Sequence, residues 1–357
     1  MMSAAEITTP FNPHPRRILI VLHGAIGDVL RALPLVGRIR AAWPNAHIAW
    51  SVEPKSRPVL EHHPWIDELI VYDRKYAPWS FVPFLKKVRG GNFGLVLDLQ
   101  RHLKSGITSI VSGAGERYGF DASNSKEYNH LFSNHHIAAQ PNMRLKLLQY
   151  QAFGDALNLP SAPIEFGLTL TDEERNRALA MIRDAPRPLL GVILGSSWPS
   201  RLYFPESTAA VIRELAHSSN GTAPLYPVLL GGPDEKDLAA DVMRCLGDTP
   251  ALNLAGSTTL RDLIAIFREC KAAFGPDSGP MHIAAAVGCP VVSLWGSTAV
   301  ERSAPWGFDH LTISGAIPCH PCYLRKCPIG RECMRRILPE QVTAMVRRAL
   351  VQSRGGA

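Results

Sequence analysis

No apolar run in this chain approaches the roughly 20 residues needed to cross a bilayer as a helix. Aliphatic stretches such as Ile18 to Leu22 end after five residues. Arg16 and Arg17 precede that run as in a signal peptide, but it stops at His23 and no small-residue cleavage site follows, so export is not expected. Cysteine is sparse: seven in 357 residues, an odd number, which argues against a disulfide framework and fits the cytosol. A G-x-G-x-x-G fingerprint and a Walker loop are both missing, which disfavours a dinucleotide enzyme or a P-loop ATPase. No aromatic-plus-basic motif of the RNA-binding kind occurs, although the net charge is +7. The basic residues are scattered, so the charge favours smaller acidic partners such as phosphates, carboxylate sugars or anionic headgroups. With 46% hydrophobic and 19% charged residues, the composition is that of a folded globular protein, and its length suits two domains.

The chain alternates strand and helix signals. Buried-strand candidates are Ile18 to Leu22, Ile48 to Val52, Leu69 to Tyr72 and Leu95 to Leu99, with an apolar helix from Val29 to Ile39. The pattern restarts near residue 189, with strand candidates at Leu189 to Leu194, Leu225 to Leu230, Ala272 to Phe274 and Val291 to Leu294. Thr259 followed by Asp262 reads as a capping-box helix start, and Leu260, Leu263, Ile264 and Phe267 recur at helical spacing. A Pro-, Ser- and Thr-rich stretch around 157–171 reads as a linker. The expected organisation is a loose tail at 1–17, an acceptor-side domain at 18–160, a linker at 161–175, a second domain at 176–338 and a C-terminal helix and tail at 339–357. Two doubly wound α/β halves of this kind leave a cleft between them, where ligands commonly bind.

Four glycine-bearing turns follow strands and carry the candidate chemistry. Gly24-Ala25-Ile26-Gly27-Asp28 follows the first strand; Asp28 either caps the next helix or serves as a general base facing the cleft. Gly195-Ser196-Ser197, with Arg201 nearby, offers hydroxyls, N–H groups and a guanidinium fork to a diphosphate, unless it is a plain surface turn. In Gly231-Gly232-Pro233-Asp234-Glu235 a carboxylate either accepts from ribose hydroxyls or simply opens a helix. Gly275-Pro276-Asp277-Ser278-Gly279-Pro280-Met281-His282 ends a strand and starts an Ala-rich helix, an anion site at a helix N-terminus. Asp277 would repel a phosphate and so reads as a grip on sugar hydroxyls, while His282 is either part of that site or a core histidine. Gln100, Arg101, His102, Lys104 and Ser105 follow the fourth strand and form either a cleft-facing acceptor surface or a solvated loop.

Taken together and in order, these runs resemble glycosyltransferase family 9, the heptosyltransferases. The resemblance is carried by Gly24 to Pro34, Leu230 to Glu235, Asn253 to Gly256, Gly275 to Ala286, Gly288 to Thr298 and Pro305 to Gly307. It implies a GT-B fold, two facing Rossmann-like domains around a central cleft. It implies an inverting enzyme that moves a heptose from ADP-heptose to a lipopolysaccharide inner-core acceptor without metal or cofactor. The absence of Asp-x-Asp, the usual metal clamp of the other glycosyltransferase fold, fits that. By motif, Asp28 would be the base. Ser196, Ser197, Arg201, Asp277, Ser278, Gly279 and His282 would hold the donor diphosphate and sugar. Glu235, Leu254 and Gly256 would hold the nucleoside, with Gly27, Arg101 and Lys104 on the acceptor side. The implied partners are a nucleotide-sugar and an acidic glycolipid at the cytoplasmic face of the inner membrane, with no nucleic acid. The rivals are a family member with another donor or acceptor, and a catalytically silent carbohydrate-binding scaffold.

Two positions depart from the family pattern. Arg201 to Pro205 replaces a Lys-bearing segment and is one residue longer, and His23 stands where a neutral or more basic residue is expected. Separately, Cys319, Cys322, Cys327 and Cys333 have gaps of two, four and five residues among several arginines. Four thiolates suit structural zinc, but the last gap is wide for a second ligand pair, so reduced or redox-labile thiols are expected and no metal.

Overall fold

The computed structural model describes residues 15–76, 79–217, 223–315 and 317–352. Most of the expected 1–17 tail and the last residues of the 339–357 segment therefore lie outside the described residues. Two six-stranded, wholly parallel sheets organise the chain. The first contains β1 (Arg17–Val21), β2 (His47–Val52), β3 (Glu68–Val71), β4 (Leu95–Asp98), β5 (Glu116–Gly119) and β6 (His135–His136). The second contains β7 (Leu189–Ile193), β8 (Tyr226–Leu230), β9 (Leu252–Asn253), β10 (Cys270–Pro276), β11 (Val291–Trp295) and β12 (Thr312–Ser314).

Their orders are β3-β2-β1-β4-β5-β6 and β12-β11-β10-β7-β8-β9. Renumbered within each half, both read 3-2-1-4-5-6, so the fold is one doubly wound topology used twice. Central strands carry unbroken apolar runs because helices cover both faces; Ile18 to Val21 are fully buried. The eight strands expected from such runs all form. β5, β6, β9 and β12 escaped notice because flanking strands need less apolar surface: β6 is two histidines and β9 is Leu252–Asn253.

The strand order reverses between β1 and β4 and between β7 and β10, and side chains beyond those strand ends face a crevice. Gly275 is there for proximity: a Cβ would lie 2.4 Å from the Ile193 carbonyl oxygen. The first helix runs Ile26–Ala42 and not from Val29, with Ala25 at its N-cap. Asp28 is thus a first-turn residue, and the helix-cap alternative for it is ruled out.

Between Leu159 and Thr171 the chain crosses from one sheet to the other without helix or strand. Thr171 then closes a capping box with Glu174 on the helix Asp172–Met181, so the last residues of the expected 161–175 linker are helical. The halves are bolted together here. Arg261 donates to Glu61 O (2.7 Å) in the first half, to Thr169 O (2.7 Å) in the crossing, and to both carboxylate oxygens of Glu174 (2.9 and 2.6 Å). Those bonds to Arg261 outweigh burial and hold the Glu174 pKa at about 2. The helix Pro339–Gln352 packs on the second half, burying Val342 and Val346. No helix among the described residues is long and apolar enough to cross a membrane.

Candidate active site

Asp28 emerges just after β1, at the reversal point of the first sheet. Its Oδ1 accepts from Arg31 Nη1 at 2.6 Å and from Lys146 Nζ at 2.7 Å. Arg31 is one turn further along the same helix, and Lys146 opens the helix Lys146–Ala156 that packs beside it. Burial alone would raise the Asp28 pKa, but the Lys146 ammonium and then the Arg31 guanidinium outweigh it and hold it at about 2. The carboxylate is therefore ionised at any working pH, with one oxygen tethered by two cations.

Arg31 continues across the cleft. Its Nη2 donates to His282 Nε2 at 2.9 Å, in the second half. Burial and then the nearby Arg31 charge keep His282 neutral, so Nε2 accepts and the ring proton sits on Nδ1. His282 is thus the buried far end of an Asp28–Arg31–His282 chain. The approach is close: a Cβ on Gly27 would lie 2.7 Å from the His282 ring, and one on Gly279 would lie 2.9 Å from Ile26. Gly27, expected on the acceptor side, is therefore a contact between halves. The starts of the helices Ile26–Ala42 and Gly279–Ala286 meet at this point.

Beside it, Arg201 Nη1 pairs with Asp277 Oδ2 at 3.0 Å, and the Thr298 hydroxyl donates to the same oxygen at 2.7 Å. The Arg201 guanidinium lies 4.1 Å over the Trp198 ring. Ser196 spends its hydroxyl proton on Asp277 O (2.8 Å), so it has only its backbone N–H left for an anion, while Ser197 is exposed. Ser278, at the N-cap of Gly279–Ala286, makes no side-chain cap bond, and its buried hydroxyl has no partner. The Arg31 and Arg201 Nε groups are buried and unpartnered as well.

Glu235, Leu254 and Gly256 gather at the ends of β7, β8 and β9. Glu235 Oε2 accepts from Gly232 N (2.7 Å), and its carboxylate lies against Gly195. The N–H groups of Leu254 and Gly256 are given to Leu229 O (3.0 Å) and Gly231 O (2.9 Å), and that of Ala255 to Asn253 Oδ1 (3.0 Å). This backbone therefore offers carbonyls only, which suits an exocyclic amino group and not a keto edge. Gly256 takes φ +77°, and the Lys236 side chain lies over it.

The acceptor-side residues split. Arg101 stacks 3.8 Å over Phe120, donates to Gln149 and lies near Asp28 and Arg302. Lys104 stands apart over Tyr72 (5.1 Å), with Glu53 at 3.9 Å. His102 pairs with Glu127 on an exposed rim (3.2 Å). His23 is buried, held at about 3 by burial and Lys104, and donates or accepts through Nε2 to Ser51 Oγ at 2.9 Å. It is a neutral packing residue against Tyr72 and Phe84. Fully buried Asp98, at the end of β4, accepts from Gln100 N (3.0 Å) and Asn129 Nδ2 (2.8 Å) and so fixes the loop that carries Arg101.

The cysteine segment straps the donor side. Tyr323 N donates to Ser297 O (2.8 Å), Ser200 Oγ to Leu324 O (2.6 Å) and Arg331 Nη1 to Leu202 O (2.9 Å). All seven cysteines are free thiols; Cys319 is exposed, Cys322 and Cys327 are half-buried and Cys333 is buried. Among the described residues no group of three or more His, Cys, Asp or Glu is placed to hold a metal ion.

Sequence reading missed Arg31, Lys146, Trp198, Asp98 and Thr298. Only Arg31 carried a signal, its i, i+3 spacing from Asp28 on one helix face. Lys146 lies 118 residues from Asp28 in no motif, and only the packing of two helices brings it there.

Comparison with known proteins agrees with this geometry. The family model described as glycosyltransferase family 9 (heptosyltransferase) matches residues 82–332. The lipopolysaccharide core heptosyltransferase OpsX of Haemophilus influenzae is 28% identical over 297 residues, 83% of each chain. Lipopolysaccharide heptosyltransferase 1 of Pseudomonas aeruginosa is 26% identical, covering 87% of each. Among solved structures, a family 9 glycosyltransferase from Veillonella parvula superposes with a TM-score of 0.79 at 20% identity, covering 96% of this chain and 99% of that one. The E. coli ADP-heptose heptosyltransferase II gives 0.74 at 20% identity, with 95% and 99% covered, so the architecture is GT-B.

Proposed function

Because the chain belongs to glycosyltransferase family 9, we propose that it transfers a heptose from ADP-heptose to an acidic inner-core acceptor of lipopolysaccharide, with inversion and without a metal. The observation that carries this reading is the Asp28–Arg31–His282 chain, which places an ionised carboxylate beside the turn bearing the orphaned Ser278 hydroxyl. The curated relatives named for heptose transfer to lipopolysaccharide support the choice of sugar and acceptor. The enzyme would work in the cytoplasm, at the membrane face where a lipid-linked acceptor is presented.

Asp28 Oδ2 receives the acceptor proton as the hydroxyl oxygen attacks the anomeric carbon, and the bond to the diphosphate breaks on the opposite side. A carboxylate held at about 2 is a weak base, so transfer is late: the hydroxyl proton becomes acidic only once its oxygen bonds to carbon. Arg201, Ser278 Oγ and the N–H groups opening Gly279–Ala286 meet the charge on the leaving diphosphate. Pro280 has no N–H to give. Asp277 Oδ1 is left for a hydroxyl of the donor sugar. Arg101 and Arg31 face the negative groups of the acceptor.

The adenine and ribose assignments are tested by nucleotide preference. ADP should stabilise the protein in thermal shift more than UDP or GDP, by about 2.7 kcal/mol at roughly 100 Kd. Glu235→Ala should weaken ADP by about 10- to 150-fold, the loss of about 1.5–3 kcal/mol of charge-assisted bonding. Because Ala also orphans Gly232 N–H, Glu235→Gln is the cleaner variant: it keeps that bond and loses the charge. Equal binding of UDP, or ADP affinity untouched in both variants, overturns the nucleoside reading.

Turnover of ADP-heptose should survive EDTA undiminished, since fixed cations and N–H groups serve the leaving group. An activity lost to chelation and restored by one divalent ion refutes the metal-free mechanism. Absence of turnover with every nucleotide-sugar, alongside intact binding, would favour the silent scaffold.

A further inference from the structure

We propose that Arg74–Tyr76, Trp79 and the helix Phe81–Gly90, which follow β3, form the surface by which this protein docks on an anionic bilayer. The inference deepens the reading of a lipid-linked acceptor by naming the face that meets the lipid. Three large apolar side chains stand in solvent here: Trp79 is 85% exposed, Tyr76 59% and Val82 57%. A tryptophan that exposed leaves most of its apolar area unburied, and neighbouring exposed apolar groups mark an interaction face.

The charge around them is mostly positive, with Asp73 at the start of the segment accepting from the Lys75 N–H at 2.9 Å. Residues 74–90 contain Arg74, Lys75, Lys86, Lys87 and Arg89, and no Asp or Glu. Phe84 and Val88 turn inward to the sheet, so the helix presents Val82, Pro83 and Lys86 outward. Lys87 is partly neutralised by Glu68 at 3.4 Å. Aromatic rings beside unpaired cations suit the boundary of an anionic membrane, where the ring enters the headgroup layer and the ammonium groups meet phosphates. An acid-free stretch is a poor match for a basic or mixed-charge protein partner.

Its position fits as well. The segment leaves the same end of the first sheet as Asp28, and Tyr72 joins it to the acceptor rim. The Tyr72 ring packs on Phe81 (5.5 Å), Phe84 (5.1 Å) and His23 (5.4 Å), with Lys104 above it. An acceptor held in the bilayer by its lipid would thus present its sugars toward the cleft.

The test is co-sedimentation of the full chain with vesicles of phosphatidylcholine alone and of phosphatidylcholine with about a third phosphatidylglycerol. Binding should need the anionic lipid and fall as salt rises. The W79S and K86E variants should each lower the partition coefficient about tenfold, while V351S, an exposed apolar residue on the C-terminal helix, leaves it unchanged. Both variants should keep wild-type turnover on a water-soluble, delipidated acceptor and lose it on acceptor embedded in vesicles. Equal sedimentation with both lipids, or variants that bind as well as wild type, overturns the proposal. So does light scattering that shows W79S abolishing a dimer instead. Vesicle binding is measured without donor, so a failure of heptose transfer leaves this outcome readable by itself.

Discussion

Asp28→Asn should lower kcat by about 10² to 10⁴ while leaving ADP affinity nearly unchanged. Asn keeps the shape of the side chain and can still accept from Arg31 and Lys146, so the loss reports the missing proton acceptor. Since Asp28 makes no cap bond, a tolerance of Asn cannot be rescued by its equal rank as a helix cap. The pairing with Lys146 adds a pH signature. With its pKa at about 2, Asp28 stays ionised and sets no acid limb in a rate profile taken between about pH 5 and 8. Lys146→Met removes the largest force lowering that pKa, so an acid limb of kcat/KM, absent from the wild-type profile, should enter it from the low-pH side. Wild-type turnover in Asp28→Asn would reduce the carboxylate to an ion-pair anchor. An unchanged pH profile in Lys146→Met would deny Lys146 its hold on the base.

The second large effect belongs to Arg201. Arg201→Ala should cost about 10² to 10³ in kcat, the usual loss when one donor to a developing anion is removed. Asp277 complicates that variant, because breaking a buried pair by removing one partner costs about 3–5 kcal/mol of stability. Arg201→Lys separates the two effects. An ammonium still pairs with Asp277 and preserves the fold, but it loses the planar fork and the stacking on Trp198. Lys should therefore melt near wild type yet remain about tenfold or more slower. If Lys restores full turnover, Arg201 acts only as the counter-charge of Asp277.

The central strands and the four glycine-bearing turns that follow strands were legible in the sequence because each depends on local chemistry. Parallel strands covered on both faces need apolar runs, and a chain approaching another backbone, as Gly275 approaches Ile193, needs glycine. What was not legible was created by distance. Lys146 reaches Asp28 only through helix packing, and Arg261 joins three segments that share no motif. Burial likewise decided roles that residue type left open. His282 and His23 are the same side chain, yet one bridges the halves and the other fills a core beside Tyr72. Ser196 and Ser278 looked equivalent as phosphate donors; the partners already taken by Ser196 separate them.

The twofold use of one topology has an electrostatic corollary. The helix after the first strand of one half and the helix after the fourth strand of the other, both leaving a switch point, bring their amino ends together where Gly27 meets His282 and Gly279 meets Ile26. Each such end carries roughly half a positive charge. Two like poles in contact repel, and Arg31, Lys146 and Arg201 add to the repulsion while Asp28 and Asp277 offset only part of it. The junction between the halves is thus a concentrated positive spot set by backbone geometry as much as by side chains, the natural counterpart of an anionic group.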